Sequence, residues 1–188
     1  MPVANRNDDI SEAEYLEAEL SSEIKHEFVD GYIYAMAGAS RNHVKLTGNV
    51  FAGFHRQLMN GPCEPYSSDM KVKTPTGQFR YPDVLVSCDN TFTHKGYVSE
   101  TPVIIVEVLS HSTRRIDEQI KRLEYINIAT LKEYVLIEQD FVDITVYRKS
   151  DDWRPTHYFL DESIYFESIG ISLSVAEIYH RVENRDTI

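Results

Sequence analysis

Tyr81-Pro82-Asp83-Val84-Leu85-Val86-Ser87-Cys88, followed after a polar stretch by Pro102-Val103-Ile104-Ile105-Val106-Glu107-Val108-Leu109, decides the reading of this chain. Both are nearly continuous apolar runs rich in Val and Ile, the pattern of strands covered on both faces. Each run carries one acid where a buried strand should have none. An ionised carboxylate in that setting is costly unless it is paired or meets a cation. Hard oxygen ligands on neighbouring strands suit Mg²⁺ or Mn²⁺, which usually take one or two carboxylates with water and phosphate completing the shell. Asp83 and Glu107 are therefore candidate metal ligands. The plainer alternative is that each acid pairs with an arginine or caps a loop.

The segment after Glu107 reads as a helix between Thr113 and Ala129, with Ile116, Ile120, Leu123, Ile126 and Ile128 expected to point inward. It carries Lys121, four residues after Asp117. That spacing allows an exposed ion pair, or a lysine turned toward the two acids to balance charge or orient a water. Spacing alone leaves both open. Beyond it, Glu133–Glu138 and Val142–Tyr147 make a hairpin around residues 139–141. Trp153–Leu160 and Ile164–Phe166 are expected as edge strands and Ser174–Val182 as a short closing helix.

Upstream, Ser11 and Glu14 form a capping box for a first helix. His26–Met36 reads as two strands joined by the Asp30-Gly31 turn, the strongest short hairpin signal present. Val44, Leu46, Val50, Phe51, Phe54 and Leu58 give an amphipathic helix over Asn42–Met59 that stops at Asn60-Gly61-Pro62. Met70–Thr74 alternates apolar and basic residues, the pattern of a strand. The element order implies one α/β domain over residues 11–182, with a mixed central sheet, flanking helices and extra hairpins. Residues 1–10 and 183–188 are expected as tails.

The chain has 188 residues, 42% hydrophobic and 26% charged, ordinary values for one globular domain. No apolar run is long enough for a membrane helix. The polar, acidic N-terminal stretch reads as neither a secretory signal nor a transit peptide. Cys63 and Cys88 are too few for a disulfide framework and lack metal-ligand spacing, so a reducing cytoplasm is the simpler expectation. The net charge of −11 argues against tight binding to nucleic acid over the whole surface. The charge is uneven, however. Residues 41–80 hold six bases (Arg41, Lys45, Arg56, Lys71, Lys73, Arg80) against Glu64 and Asp69, while residues 1–40 hold nine acids against two bases. The basic stretch is either a solvated face or a path for a phosphate backbone.

Tyr81-Pro82-Asp83-Val84, then Glu107-Val108-Leu109-Ser110, Ser112-Thr113, Asp117, Lys121 and Tyr125 resemble the Uma-type restriction endonuclease family of the PD-(D/E)XK nuclease superfamily. Glu27-Phe28-Val29-Asp30-Gly31 and Glu133-Tyr134-Val135-Leu136-Ile137 extend the likeness over most of the chain. The resemblance implies a restriction endonuclease-like fold and metal-dependent endonuclease cleavage of DNA. It implies Asp83 and Glu107 as ligands of Mg²⁺ or Mn²⁺, Lys121 as the catalytic lysine and Glu27 as a further catalytic acid. His43 would contact phosphate. The superfamily's usual lysine position, two residues after the second acid, is Leu109 here, a departure that Lys121 would make good from the helix. Lys71 or Lys73 would serve instead if their strand adjoined that of Asp83, and both are candidate substrate-binding residues. Duplex cleavage makes a homodimer plausible. The rival reading is a nucleic-acid-associated binding module of the same fold with little catalysis. It is favoured by the acidic total and by Leu109.

Overall fold

A computed structural model describes residues 10–89 and 92–187. It begins with α1 (Glu12–Glu19), β1 (His26–Val29), β2 (Tyr32–Ala35), α2 (Arg41–Leu58), β3 (Glu64–Ser67), β4 (Lys71–Lys73) and β5 (Phe79–Arg80). Then come β6 (Val84–Ser87), β7 (Phe92–Thr93), β8 (Val98–Ser99) and β9 (Pro102–Leu109). A π-helical segment, Ile116–Lys121, runs straight into α3 (Arg122–Tyr125). The chain closes with β10 (Glu133–Glu138), β11 (Ile144–Arg148), β12 (Pro155–Tyr158), β13 (Ser163–Phe166), β14 (Ile171–Ser174) and α4 (Val175–Ile178).

Local chemistry explains the punctuation. Ser11 Oγ accepts the Glu14 N–H and Glu14 Oε2 accepts the Ser11 N–H, the reciprocal box read from sequence. Asp30 and Gly31 both have positive φ, 50° and 84°, which is what a tight hairpin turn between β1 and β2 demands. Ser40 caps α2 by accepting the His43 N–H at 3.1 Å.

Two mixed six-stranded sheets and one small hairpin make up the sheet structure. The main sheet runs β12-β11-β10-β9-β6-β3, with β9 and β10 parallel and the other neighbours antiparallel. The second runs β2-β1-β5-β4-β8-β7, and β13 pairs with β14. The inward faces of β6 and β9 alternate as strands must. Val84, Val86, Ile104, Val106 and Val108 pack with Leu46, Val50 and Phe54 of α2. Leu85, Ile105 and Leu109 pack on the opposite face with Tyr125, Ile128 and Tyr134. By that alternation Asp83 and Glu107 fall on the second face, under the π-helical segment and α3.

Three expectations need correction. The helix after β9 buries Ile128 of its expected apolar stripe but turns the middle of that stripe outward. Ile120 and Leu123 are 48% and 56% exposed, while Asp117, Lys121 and Tyr125 are buried. Residues four apart share a face, and here that face is the polar one because it covers Glu107. Next, Cys63 and Cys88 are joined in a disulfide. They flank the Glu64–Ser87 cross-strand pair, so the β3–β6 register brings together residues 25 apart in sequence. Finally, the end of the chain is not a free tail. Asp186 accepts the Val142 N–H at 2.8 Å and the Arg185 N–H donates to the Asp140 carbonyl at 3.2 Å. The expected tail over residues 1–10 lies outside the described residues except for Ile10, whose N–H donates to the Gly31 carbonyl. No helix among the described residues is long and apolar enough to cross a membrane.

Candidate active site

Strands β6 and β9 pair antiparallel with Val84 opposite Val106, so the next position along sets Asp83 opposite Glu107. Asp83 is held at both oxygens. Oδ1 accepts from His43 Nε2 at 2.7 Å, and Oδ2 accepts the Val108 N–H at 2.7 Å. The first contact ties the end of the main sheet to the first turn of α2. The second ties Asp83 to the residue directly after Glu107.

Glu107 is 3% exposed. Its Oε1 accepts from Lys121 Nζ at 3.1 Å and from the Tyr125 hydroxyl at 3.0 Å. Both bonds land on Oε1, so Oε2 carries neither. Burial pushes the Glu107 carboxyl well above the usual range. Lys121 pulls against this, and Asp117, Asp83 and Glu27 add to it.

Lys121 is the hub. Besides Glu107 it lies 3.2 Å from Glu27 Oε1 and 3.2 Å from Asp117 Oδ1, the latter an ion pair without hydrogen-bond geometry. Burial alone would favour the neutral amine. Glu107, then Glu27 and Asp117, reverse that and hold the ammonium charged well above its ordinary range. Glu27 is in turn gripped by Arg80 at 2.9 Å. Burial would raise the Glu27 carboxyl, but Lys121 and Arg80 outweigh it and keep it below its usual value. Arg80 also forks onto Glu124 with two bonds of 2.7 and 2.8 Å, the planar match a guanidinium makes to a carboxylate. Asp117 is raised by burial despite Lys121.

The cluster thus sets Glu27, Asp83, Glu107, Asp117 and Glu124 against two cations, Lys121 and Arg80. A surplus of buried carboxylate is an unfavourable state for the chain alone and a favourable one for a hard cation. Among the described residues no three His, Cys, Asp or Glu side chains form a complete ligand set. Two carboxylates with open positions are nevertheless what Mg²⁺ takes when water and phosphate supply the rest. The donor set fits a divalent ion of that kind.

Asp83, Glu107, Lys121, Glu27 and His43 therefore converge. Lys71 and Lys73 do not join them. Strand β4 pairs with β5 and β8, whereas β6 pairs with β9 and β3. Lys73 is bound to Glu12 at 2.6 Å, and Lys71 is buried beside Tyr81 and Tyr97. The bases over residues 41–80 are likewise mostly paired with acids of the same chain. Arg41 and Lys45 meet Glu183, Arg56 meets Glu177, and Arg80 meets Glu27 and Glu124. Only Arg41 and Arg56 of the six keep largely exposed charge, at 69% and 63%.

Reading the sequence missed Arg80, gave Tyr125 no role, and offered Asp117 only as an exposed ion-pair partner of Lys121, whereas that pair is buried in the network. The signal was present in the polar i, i+4, i+8 spacing of Asp117, Lys121 and Tyr125, but the isoleucines between them carried the stronger amphipathic pattern.

The fold matches a solved structure from Anabaena variabilis, titled as "a putative nuclease belonging to DUF820", with a TM-score of 0.74. The match covers 90% of this chain and 97% of that one, at 15% identity, which speaks to fold alone. Two relatives come from Synechocystis sp. The uncharacterized protein slr1290 is 36% identical over 90% of this chain and 91% of its own length. The uncharacterized protein sll1609 is 35% identical over 76% and 82%. The family model described as "Uma2: Putative restriction endonuclease" matches residues 12–176. With a match of that span and a relative of that identity, the chain belongs to the Uma2 family.

Proposed function

We propose that this protein is a Mg²⁺- or Mn²⁺-dependent endonuclease acting on DNA. The observation that carries the reading is the placement of Asp83, one residue before β6 and bonded to the Val108 N–H, beside Glu107 of β9 in a cluster with more carboxylate than cation. Asp83 and Glu107 would hold the metal, which supplies Lewis-acid polarisation of a phosphate and a water of lowered pKa. The chain's own part is preorganisation. The His43 imidazole and the Val108 N–H fix both oxygens of Asp83, as outer-shell partners of a metal ligand do. Lys121 and Tyr125 hold Glu107 by one oxygen and leave the other free of those bonds. Glu27 and Asp117 hold Lys121, and Arg80 holds Glu27. With three carboxylates around it, Lys121 acts here as a charge balance and positioning group for Glu107. A homodimer and a cytoplasmic setting are part of the proposal, the latter against the Cys63–Cys88 disulfide, which a reducing compartment disfavours.

The net charge of −11 and the pairing of these bases with acids of the same chain favour a second reading, a DNA-associated module of the same fold with little catalysis. Incubating supercoiled plasmid and single-stranded DNA with the protein and Mg²⁺ or Mn²⁺, beside a chelated control, separates the two. Cleavage only with metal supports the nuclease. Binding without cleavage of either substrate favours the module.

A further inference from the structure

A cavity of about 360 Å³ lies between α1 and the turn at His94–Gly96. Its size falls within the roughly 300–1,000 Å³ usual for small-ligand clefts. Leu16 of α1 and Leu20 just after it give it an apolar wall, and Tyr97, 50% exposed, gives it an aromatic one. Lys71 of β4 also lines it. This lysine is 4% exposed, and among the described residues its ammonium has no hydrogen bond and no ion pair. Its contacts are with ring faces, 5.1 Å from the Tyr81 centroid and 5.8 Å from that of Tyr97.

A buried ammonium with no hydrogen bond and no ion pair in direct contact is uncommon, because desolvation is costly unless an anion in contact compensates. Two tyrosine faces compensate in part. Glu19 is near enough to favour the charged form, yet burial still holds the Lys71 amine below its ordinary range. The acids on the cavity's rim do not supply the missing partner. Glu12 is taken by Lys73 at 2.6 Å, with His94 3.9 Å away, and Glu17 is exposed.

We propose that this cavity binds a small anionic molecule with a planar body, its anionic group on Lys71 Nζ and its ring against Tyr97. The ligand class is a mononucleotide or an aromatic carboxylate, which share that chemistry. The site is separate from the Asp83–Glu107 cluster and does not depend on the nuclease reading.

Titration calorimetry on the full chain with AMP, benzoate and adenosine tests this. AMP or benzoate is expected to saturate below about 1 mM, and adenosine, lacking the anion, to bind at least about tenfold more weakly. Tighter binding of AMP identifies the phosphate source, and tighter binding of benzoate the carboxylate. Lys71→Met should weaken the better probe about tenfold or more, Lys71→Arg should retain it, and Asp83→Ala should bind as wild type. If Lys71→Met does not fold, the exposed Tyr97→Ala carries the test, with a loss of about three- to tenfold expected. No saturation by either probe up to about 10 mM overturns the proposal. So does unchanged affinity in Lys71→Met or in Tyr97→Ala, or loss of binding in Asp83→Ala.

Discussion

Replacing Lys121 with methionine removes the one ammonium shared by three buried carboxylates while keeping a side chain of similar length. The consequences differ among the three. Glu27 keeps Arg80 at 2.9 Å and Glu107 keeps the Tyr125 hydroxyl at 3.0 Å, while Asp117 keeps only the Thr113 side chain and its Oδ1 has no hydrogen bond. Removing one partner of a buried ion cluster typically costs about 3–5 kcal/mol because uncompensated charge stays behind. For a domain whose whole stability is about 5–15 kcal/mol, that is a fifth or more. With an m-value near 3 kcal/mol/M, the urea midpoint should fall by about 1–1.7 M.

The loss should depend on pH with a definite sign. Asp117 and Glu107 already have carboxyls raised above their ordinary values, and Lys121 is the group opposing the rise in both. Without it they rise further. A carboxyl raised in the folded state is no burden below its unfolded range, and the burden grows as pH climbs through the folded value. The deficit should therefore be largest near about pH 8 and shrink toward about pH 5. Urea unfolding of wild type and Lys121→Met in chelator, at both pH values, reads it directly. A deficit under about 1 kcal/mol, or one equal at both pH values, would refute the reasoning.

Other expectations follow from the same contacts. Tyr125→Phe removes one of two donors to buried Glu107 and should cost about 1–3 kcal/mol by denaturant unfolding, without changing far-UV dichroism. His43→Ala releases one oxygen of Asp83 and should lower kcat/KM about 10–100-fold in a metal-dependent cleavage assay, with the fold retained. Gly48→Ala, in α2 with open space around the added methyl, should stabilise by about 0.5–1 kcal/mol. Gly53→Ala in the same helix should not, since its methyl would meet Leu173 Cδ2 at 2.8 Å. Millimolar Mg²⁺ should raise the Tm of wild type but not of Asp83→Ala, because a ligand bound only by the folded state shifts unfolding by mass action. An equal rise in both would count against Asp83 as a ligand.

The legible part of the fold was the part governed by local chemistry. The Ser11 box, the Asp30-Gly31 turn and the Val- and Ile-rich runs of β6 and β9 each announce themselves within a few residues. Asp83 and Glu107 were visible because an acid breaks an apolar run. The rest depended on partners distant in sequence. Arg80 meets Glu27 and Glu124 across 53 and 44 residues, and no local pattern signals such a meeting. The helix after β9 misled because amphipathicity assumes an apolar core, whereas this helix covers a charged one. Cys63 and Cys88 were misjudged for a similar reason, since only the β3–β6 register makes them neighbours.

The central claim is that Asp83 and Glu107 together form one metal-dependent cleavage site. The most direct measurement compares cleavage of supercoiled plasmid and single-stranded DNA by wild type, Asp83→Ala and Glu107→Ala at equal concentration in Mg²⁺ or Mn²⁺, each variant checked for native dichroism. Wild type should cut, chelator should abolish the cutting, and both folded variants should lose it by at least about a hundredfold. Cutting that persists in both variants would contradict the claim.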